Sequence, residues 1–112
     1  MNWIKLNDTA QLKSIVENSF SQPQVIFKHS TRCSISSMAK SRLEREQFPK
    51  DIPFYFVDLL QHREISNAIE NDFNVDHESP QVLIIKNGAC VYDESHSGIN
   101  MDEIIIQAAQ AN

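Results

Sequence analysis

The stretch QVIFKHSTRCSISSMAKSRL, residues 24–43, changes from one hydrophobic pattern to another at a cysteine. Residues 25–27 are consecutive apolar residues in a run too short for a helix, which is typical of a strand covered on both faces. After Cys33, apolar residues recur at helical spacing, which predicts a helix from Ser34 to Gln47. The apolar stripe of this predicted helix consists of Ile35, Met38, Ala39 and Leu43. The cysteine therefore lies where a buried strand gives way to an amphipathic helix.

Helices and strands alternate on both sides of this stretch. NDTAQLKSIVENSF predicts a helix with Asn7 or Asp8 as its N-cap. IPFYFVDLL predicts a second buried strand, and HREISNAIENDF predicts a third helix. ESPQVLIIKNGACVYDES predicts two strands joined at Asn87-Gly88, because this dipeptide fits a type I′ turn, and NMDEIIIQAAQA predicts a last helix. We expect these helices to bury Leu12, Ile15, Val16 and Phe20 in the first, Ile65, Ala68, Ile69 and Phe73 in the third, and Met101, Ile104, Ile105, Ala108 and Ala109 in the last.

The resulting order, α-β-α-β-α-β-β-α, indicates one α/β domain over residues 1–112. Strands joined through a helix are expected to be parallel by the right-handed crossover rule. The hairpin adds antiparallel strands to the same sheet. The order therefore predicts a thioredoxin-like fold, with a central mixed four-stranded sheet flanked by helices.

Composition narrows the class of protein. The net charge of -5 argues against a nucleic-acid-binding scaffold, which is normally basic. No apolar run approaches the roughly 18 residues of a membrane span. MNWIKLNDTA shows no export signal, and two cysteines do not make a disulfide framework. We expect a monomer in the cytoplasm, with both thiols free.

Cys33 is the candidate nucleophile. A helix N-terminus presents unpaired N–H groups and a partial positive charge, which stabilise a thiolate, and Arg32 adds a full positive charge. The alternative is a small buried apolar residue, but the neighbouring residues are polar. Ser36 occupies the place of the second thiol in a Cys-x-x-Cys pair, and its hydroxyl cannot form a disulfide. The pattern therefore predicts monothiol exchange that stops at a mixed disulfide.

Ser79-Pro80 opens the third predicted strand and is the second element of the site. Thioredoxin-like folds carry a cis-proline at this place, facing the active cysteine. We therefore expect a cis bond, with the Ser79 backbone N–H and C=O available to pair with an extended substrate. The alternative is an ordinary trans proline at the first residue of a strand.

The stretches FKHSTRCSIS, HESPQVLIIKNG and SHSGI resemble the monothiol bacilliredoxins, the YtxJ-like proteins, and the element order agrees over nearly the whole chain. The family's site usually reads Thr-Cys-Pro-Ile-Ser. Cys33, Ile35 and Ser36 match this pattern, whereas Arg32 precedes the cysteine and Ser34 replaces the proline. The resemblance supports thiol exchange more firmly than it identifies the small thiol.

The resemblance implies that Cys33 removes bacillithiol, or a similar low-molecular-weight thiol, from S-thiolated client proteins. A second low-molecular-weight thiol or a disulfide reductase would then restore Cys33. Bacillithiol is a co-substrate in this scheme, and no bound cofactor or metal is expected. Its carboxylates would bind at the helix N-terminus beside Arg32, with Lys40 and Arg63 as weaker candidates. The expected substrate-binding residues are Thr31, Arg32, Ser34, Ile35, Ser36, Ser79 and Pro80.

The remaining cysteine and the histidines are weaker candidates. Cys90 is expected to be a buried spectator in the fourth strand, too far from Cys33 for a disulfide. The four histidines lack zinc-finger spacing with either cysteine. His29 is expected to be structural or solvent-facing, while His77 and His96 could line the rim of the site. An iron–sulfur cluster is not indicated, since only one suitable ligand is present.

Two rival functions remain open on the sequence. One is a non-enzymatic thioredoxin-fold binding or adaptor module in which the cysteine is incidental. The other is an arsenate-reductase-like enzyme, which also uses one cysteine but needs a cluster of arginines around the oxyanion. The chain has four arginines in all, Arg32, Arg42, Arg45 and Arg63.

Overall fold

A five-stranded mixed sheet forms the centre of the computed structural model, which describes residues 3–110. The strands are β1 (Trp3–Lys5), β2 (Gln24–His29), β3 (Phe54–Asp58), β4 (Gln81–Lys86) and β5 (Ala89–Ser95). The helices are α1 (Ala10–Asn18), α2 (Ser34–Glu44), α3 (Arg63–Phe73) and α4 (Met101–Ala109), and a 3-10 turn, His96–Gly98, precedes α4. The sheet order is β1-β3-β2-β4-β5; β1, β3 and β2 are parallel, and β4 and β5 are antiparallel to their neighbours.

Two hydrophobic cores lie on opposite faces of the sheet, because successive side chains of a strand point to opposite faces. Val25 and Phe27 of β2 pack into the core that α2 and α4 cover. Ile26 packs into the core that α1 and α3 cover. All six residues of β2 are buried, so the side chains of its last two residues, Lys28 and His29, are buried on opposite faces of the sheet.

The predicted four-stranded sheet was one strand too small, and the order begins with a strand rather than a helix. Trp3–Lys5 lies at the sheet edge and pairs in parallel with β3, Trp3 opposite Phe54 and Lys5 opposite Phe56. Three partly exposed residues show too little alternation to be distinguished from a loop in the sequence.

Several predicted helix boundaries and buried positions were also wrong. The second helix ends at Glu44 rather than Gln47, and its Ile35 and Met38 are 51% and 64% exposed. Phe20 lies beyond the end of α1 and is 65% exposed. Ile105 and Ala109 of α4 are exposed as well. In α2 and α4 the predicted apolar stripe is wider than the face that the sheet covers.

Other local predictions are confirmed. Helix α3 buries Ile65, Ile69 and Phe73. The β4–β5 connection has positive φ at Asn87 (53°) and Gly88 (82°), as a type I′ turn requires. The predicted N-cap of the first helix was wrong, because Thr9 rather than Asn7 or Asp8 occupies that position. A carboxylate oxygen of Asp8 nevertheless accepts the Ala10 N–H at 2.7 Å. Among the helices of residues 3–110, none is long and apolar enough to cross a membrane.

Candidate active site

Cys33 is the N-cap residue of α2 and follows the end of β2 by four residues. Its backbone is extended, with φ -105° and ψ 120°, and its side chain is partly exposed. The Cys33 N–H donates to the Ser30 carbonyl at 3.1 Å, and its own carbonyl accepts the Ser37 N–H at 3.0 Å. The thiol therefore lies at the positive end of an 11-residue helix whose first turn carries no acidic residue.

Ser36, at the position of a resolving thiol, is fully buried and held by two hydrogen bonds. Its Oγ accepts the Ser30 N–H at 3.0 Å and lies 2.7 Å from Nδ1 of His29. His29 is the last residue of β2 and Ser30 is the first residue after it, so Ser36 joins α2 to the end of β2 and the start of the connection to Cys33. In place of a second thiol the protein has a structural hydroxyl.

His29 is neutral in this arrangement. Burial lowers the pKa of its imidazole, the Lys40 ammonium lowers it further, and the carboxylates of Asp58 and Glu44 oppose the shift. Because Ser36 Oγ already accepts a backbone N–H, its hydroxyl proton is free to donate to Nδ1 of a neutral ring. His29 is thus buried and structural, one of the two roles expected for it.

The Ser79-Pro80 bond is cis, as predicted. Pro80 is buried and its carbonyl accepts the His96 N–H at 3.1 Å. Lys28 pairs with Gln81 in the antiparallel β2–β4 register, so Pro80 lies beside the end of β2, at the same end of the sheet as Cys33. The Ser79 hydroxyl oxygen is buried, with no hydrogen-bond partner among the described residues. The two predicted halves of the site therefore lie at the same end of the sheet.

An open, mainly apolar groove of about 300 Å³ lies beside the start of α2. It is lined by Ile35, Met38, Arg42, His96 and Ser97. The Arg42 guanidinium donates to the carbonyls of Ile99, at 2.8 and 3.0 Å, and His96, at 3.3 Å, which ties the 3-10 turn to α2. The exposure of Ile35 and Met38 gives this groove its apolar surface.

The remaining predicted residues divide into those near Cys33 and those that are engaged elsewhere. Thr31, Arg32 and Ser34 are exposed next to Cys33 in the chain. Lys40 instead pairs with Glu44 at 2.8 Å and lies over the Phe56 ring, 5.3 Å from its centroid. Lys40 is therefore a poor candidate for binding a substrate carboxylate.

Arg63, His77 and His96 lie on two separate surfaces. Arg63 and His77 line a small hollow of about 100 Å³ against α3, where burial lowers the pKa of His77. His96 belongs to the groove, and its Nε2 is 3.8 Å from a carboxylate oxygen of Glu78. Of the two histidines expected at the rim, His96 is the one that lines the groove beside the start of α2. Within residues 3–110, His, Cys, Asp and Glu form no group of three suited to a metal ion.

Cys90 is too far from Cys33 to form a disulfide, as predicted. It pairs with Ile85, which pairs with Gln24 at the start of β2, whereas Cys33 follows the other end of that strand. The length of β2 from Gln24 to His29 is about 16 Å, far above the roughly 7 Å allowed between bridged Cα atoms. Burial raises the pKa of the Cys90 thiol to about 11. Cys90 is only half-buried, and its raised pKa disfavours the reactive thiolate at neutral pH.

Two features of the site region were missed in the sequence: the His29–Ser36 hydrogen bond and the buried ammonium of Lys28, which donates to Gln81 at 3.0 Å. A signal for both was present, since Lys28 and His29 continue a strand that is covered on both faces. Their partners could not be identified from the pattern of the strand alone.

The chain is similar to proteins of known class over nearly its whole length. A family model described as monothiol bacilliredoxin BrxC matches residues 4–104. A solved protein described as a candidate oxidoreductase with a thioredoxin fold is 29% identical, with a TM-score of 0.83; the match covers 95% of this chain and 93% of that one. Thioredoxin from Malassezia sympodialis is 20% identical, with a TM-score of 0.70, and covers 97% and 87% of the two chains. Mitochondrial thioredoxin 3 from Saccharomyces cerevisiae is 17% identical, with a TM-score of 0.69, and covers 93% and 91%. These likenesses give the chain a thioredoxin fold and support a role in thiol–disulfide redox chemistry.

Proposed function

Because the chain belongs to the monothiol bacilliredoxin family, we propose that it removes bacillithiol, or a similar low-molecular-weight thiol, from mixed disulfides on client proteins. The observation that carries the proposal is the setting of Cys33. It is partly exposed at a helix N-terminus, while Ser36 is buried and hydrogen-bonded and Cys90 lies at the far end of the sheet. A thiol in this setting can attack a disulfide but has no partner within its own chain to resolve the product.

The proposed reaction has two exchange steps. The Cys33 thiolate attacks the sulfur of the small thiol in the client disulfide; a new S–S bond forms to Cys33, and the client leaves as a thiolate that takes a proton from water. The thiolate of a second low-molecular-weight thiol then attacks the cap on Cys33. This step gives a symmetric small-molecule disulfide and restores the Cys33 thiolate. The two electrons that reduce the client come from the small thiols, and a disulfide reductase would recycle their disulfide.

Client binding in this scheme uses the groove and the cis-proline segment. The Ser79 backbone would pair with an extended client segment as an added strand, and the apolar surface of Ile35 and Met38 would receive a client side chain. The carboxylates of bacillithiol would bind at the α2 N-terminus beside Arg32, with Thr31 next to them. Ser34 would contribute a backbone N–H and a hydroxyl where the family usually has a proline, which lacks both.

The arsenate-reductase-like alternative is disfavoured by Arg42. Its guanidinium is committed to the carbonyls of His96 and Ile99, so it does not contribute to a cluster of free arginines around Cys33. A thiol-transfer enzyme that works as a monomer in a reducing cytoplasm remains the function that we propose.

The proposal is tested with a client protein that carries one bacillithiol cap, in parallel with the same client capped by glutathione. The expected result is that the protein, supplied with free bacillithiol, frees the client thiol of the first substrate faster than that of the second. Cys33→Ser should abolish the reaction, and Cys90→Ala, the matched control, should leave its rate within twofold. Equal rates on both caps would contradict the proposal that bacillithiol is the preferred small thiol. Turnover by Cys33→Ser would contradict the proposed mechanism.

A further inference from the structure

Lys28 is a buried ammonium without an adjacent counter-ion. The side chain is 0% exposed, and its one hydrogen bond is to a neutral amide oxygen, Oε1 of Gln81, at 3.0 Å. No ion pair within 4.0 Å involves Lys28 among the described residues. Because a buried charge of this kind is unfavourable, a methionine at position 28 would suit the surrounding core better. The lysine needs an explanation other than packing.

The Gln81 side chain connects Lys28 to the segment Asp76–Ser79 that leads into the cis-proline. Its Nε2 donates to the Asp76 carbonyl at 3.0 Å, and its Oε1 lies 3.4 Å from the Glu78 N–H. A longer contact of 3.5 Å joins Nε2 to the Asp93 carboxylate of β5. One amide group therefore holds both ends of the turn immediately before Ser79.

The ammonium of Lys28 favours the same orientation of this amide as the contacts to Asp76 and Glu78. An amide has one acceptor end and one donor end, whereas an ammonium only donates. With Lys28 protonated, Oε1 of Gln81 must face Nζ, so Nε2 must face the Asp76 carbonyl. A neutral amine could still donate to Oε1, but this hydrogen bond would be weaker, because a charged donor forms a stronger bond than a neutral one.

From this arrangement we propose that Lys28, acting through Gln81, is a positioning residue that holds Asp76–Ser79 and so places the Ser79 backbone for the substrate. The inference rests on the proposed function for its kinetic consequence, but the positioning itself is a property of the fold. It assigns a role in the reaction to a residue that cannot touch the reactants.

The proposal implies a pH dependence. Burial lowers the pKa of Lys28 to about 8, and the carboxylates of Glu70 on α3 and Glu78 in the turn oppose this shift. His77 also faces Lys28, and Asp93 reaches the same amide from β5. Lys28 is therefore charged at neutral pH and loses its proton just above it. The hydrogen bond from Lys28 to Gln81, and with it the support of the turn, should weaken as the pH rises through 8.

The test compares Lys28→Met with Gln24→Met, which replaces another fully buried polar residue of β2 at the far end of the strand. Lys28→Met should raise KM for a capped client about tenfold at pH 7, with kcat and the alkylation rate of Cys33 within twofold of the unmodified protein. Its KM should be flat from pH 7 to 9, while that of the unmodified protein rises. Gln24→Met should leave KM unchanged.

Hydrogen exchange separates this inference from the proposed function, because it needs no substrate. Amides of residues 76–79 should exchange at least tenfold faster in Lys28→Met than in Gln24→Met at pH 7. If Lys28→Met does not fold, Gln81→Glu makes the same test, because a carboxylate can accept from Lys28 but cannot donate to Asp76. Unchanged exchange in these amides would overturn the proposal. Faster exchange in a protein that removes no cap would overturn the proposed function alone.

Discussion

Replacing Ser36 with alanine should destabilise the protein far more than the same change at its neighbour Ser37. The Ser36 hydroxyl is fully buried, accepts the Ser30 N–H at 3.0 Å and pairs with His29 Nδ1 at 2.7 Å. Each buried group left without a partner costs about 1–3 kcal/mol. Ser30 is only partly buried, so its N–H can bond to water in the variant, and the loss of this hydrogen bond should cost only about 1 kcal/mol. We expect a loss of about 2–4 kcal/mol in the free energy of unfolding.

Urea denaturation at pH 7 measures this loss directly. Ser37 is exposed on the same helix, and alanine favours helix there, so Ser37→Ala should change the free energy by less than about 0.5 kcal/mol. The two variants should share one m-value, which would show that they expose the same surface on unfolding. A Ser36→Ala midpoint that matches that of Ser37→Ala would show that the hydroxyl does not fasten α2 to the segment after β2.

Three further predictions concern other residues. Iodoacetamide at pH 7.5 should modify Cys33 once per folded chain and reach Cys90, whose pKa burial raises to about 11, only after unfolding; equal labelling of both thiols would contradict this. The folded-state pKa of Lys28 is about 8 against an ordinary 10.5, so the unfolded chain binds more protons between these values. The free energy of unfolding of the unmodified protein should therefore rise by roughly 3 kcal/mol, relative to that of Lys28→Met, as the pH rises from about 8 to about 10.5. A difference between the two proteins that stays constant from pH 7 to 10 would be inconsistent with a lowered pKa. Gly88→Ala should lower the free energy of unfolding by about 1–2 kcal/mol, because φ is +82° and a Cβ would lie 2.9 Å from Phe20. Phe20→Ala in the same chain should recover part of this loss, and no recovery would show that the contact with Phe20 does not contribute to it.

Local signals in the sequence predicted the strand that leads to Cys33 and the turn at Asn87-Gly88, because each depends on a few adjacent residues whose conformational preferences agree with the fold. The cis Ser79-Pro80 bond was predicted from the thioredoxin-like order of elements instead. The edge strand Trp3–Lys5 was missed because its structure comes from pairing with β3, more than 50 residues away.

The site was predictable in its nucleophile but not in its supporting contacts. Helical spacing shows that Ile35 and Met38 share a face, but it cannot show that this face lies beside the 3-10 turn rather than under the sheet. The hydrogen bond from Lys28 to Gln81 joins residues 53 positions apart and depends on the antiparallel register of β2 and β4. Long-range register of this kind is set by the assembled sheet.

The central claim is that Cys33 accepts the small thiol and keeps it. The most direct test mixes the reduced protein with an equal amount of capped client, without any free thiol or reductase, and follows both by intact mass and peptide mapping. The account predicts that the cap leaves the client and accumulates as a stable mixed disulfide on the peptide that contains Cys33. A protein that instead loses two mass units and yields a Cys33–Cys90 disulfide, or that never carries the cap, would contradict it.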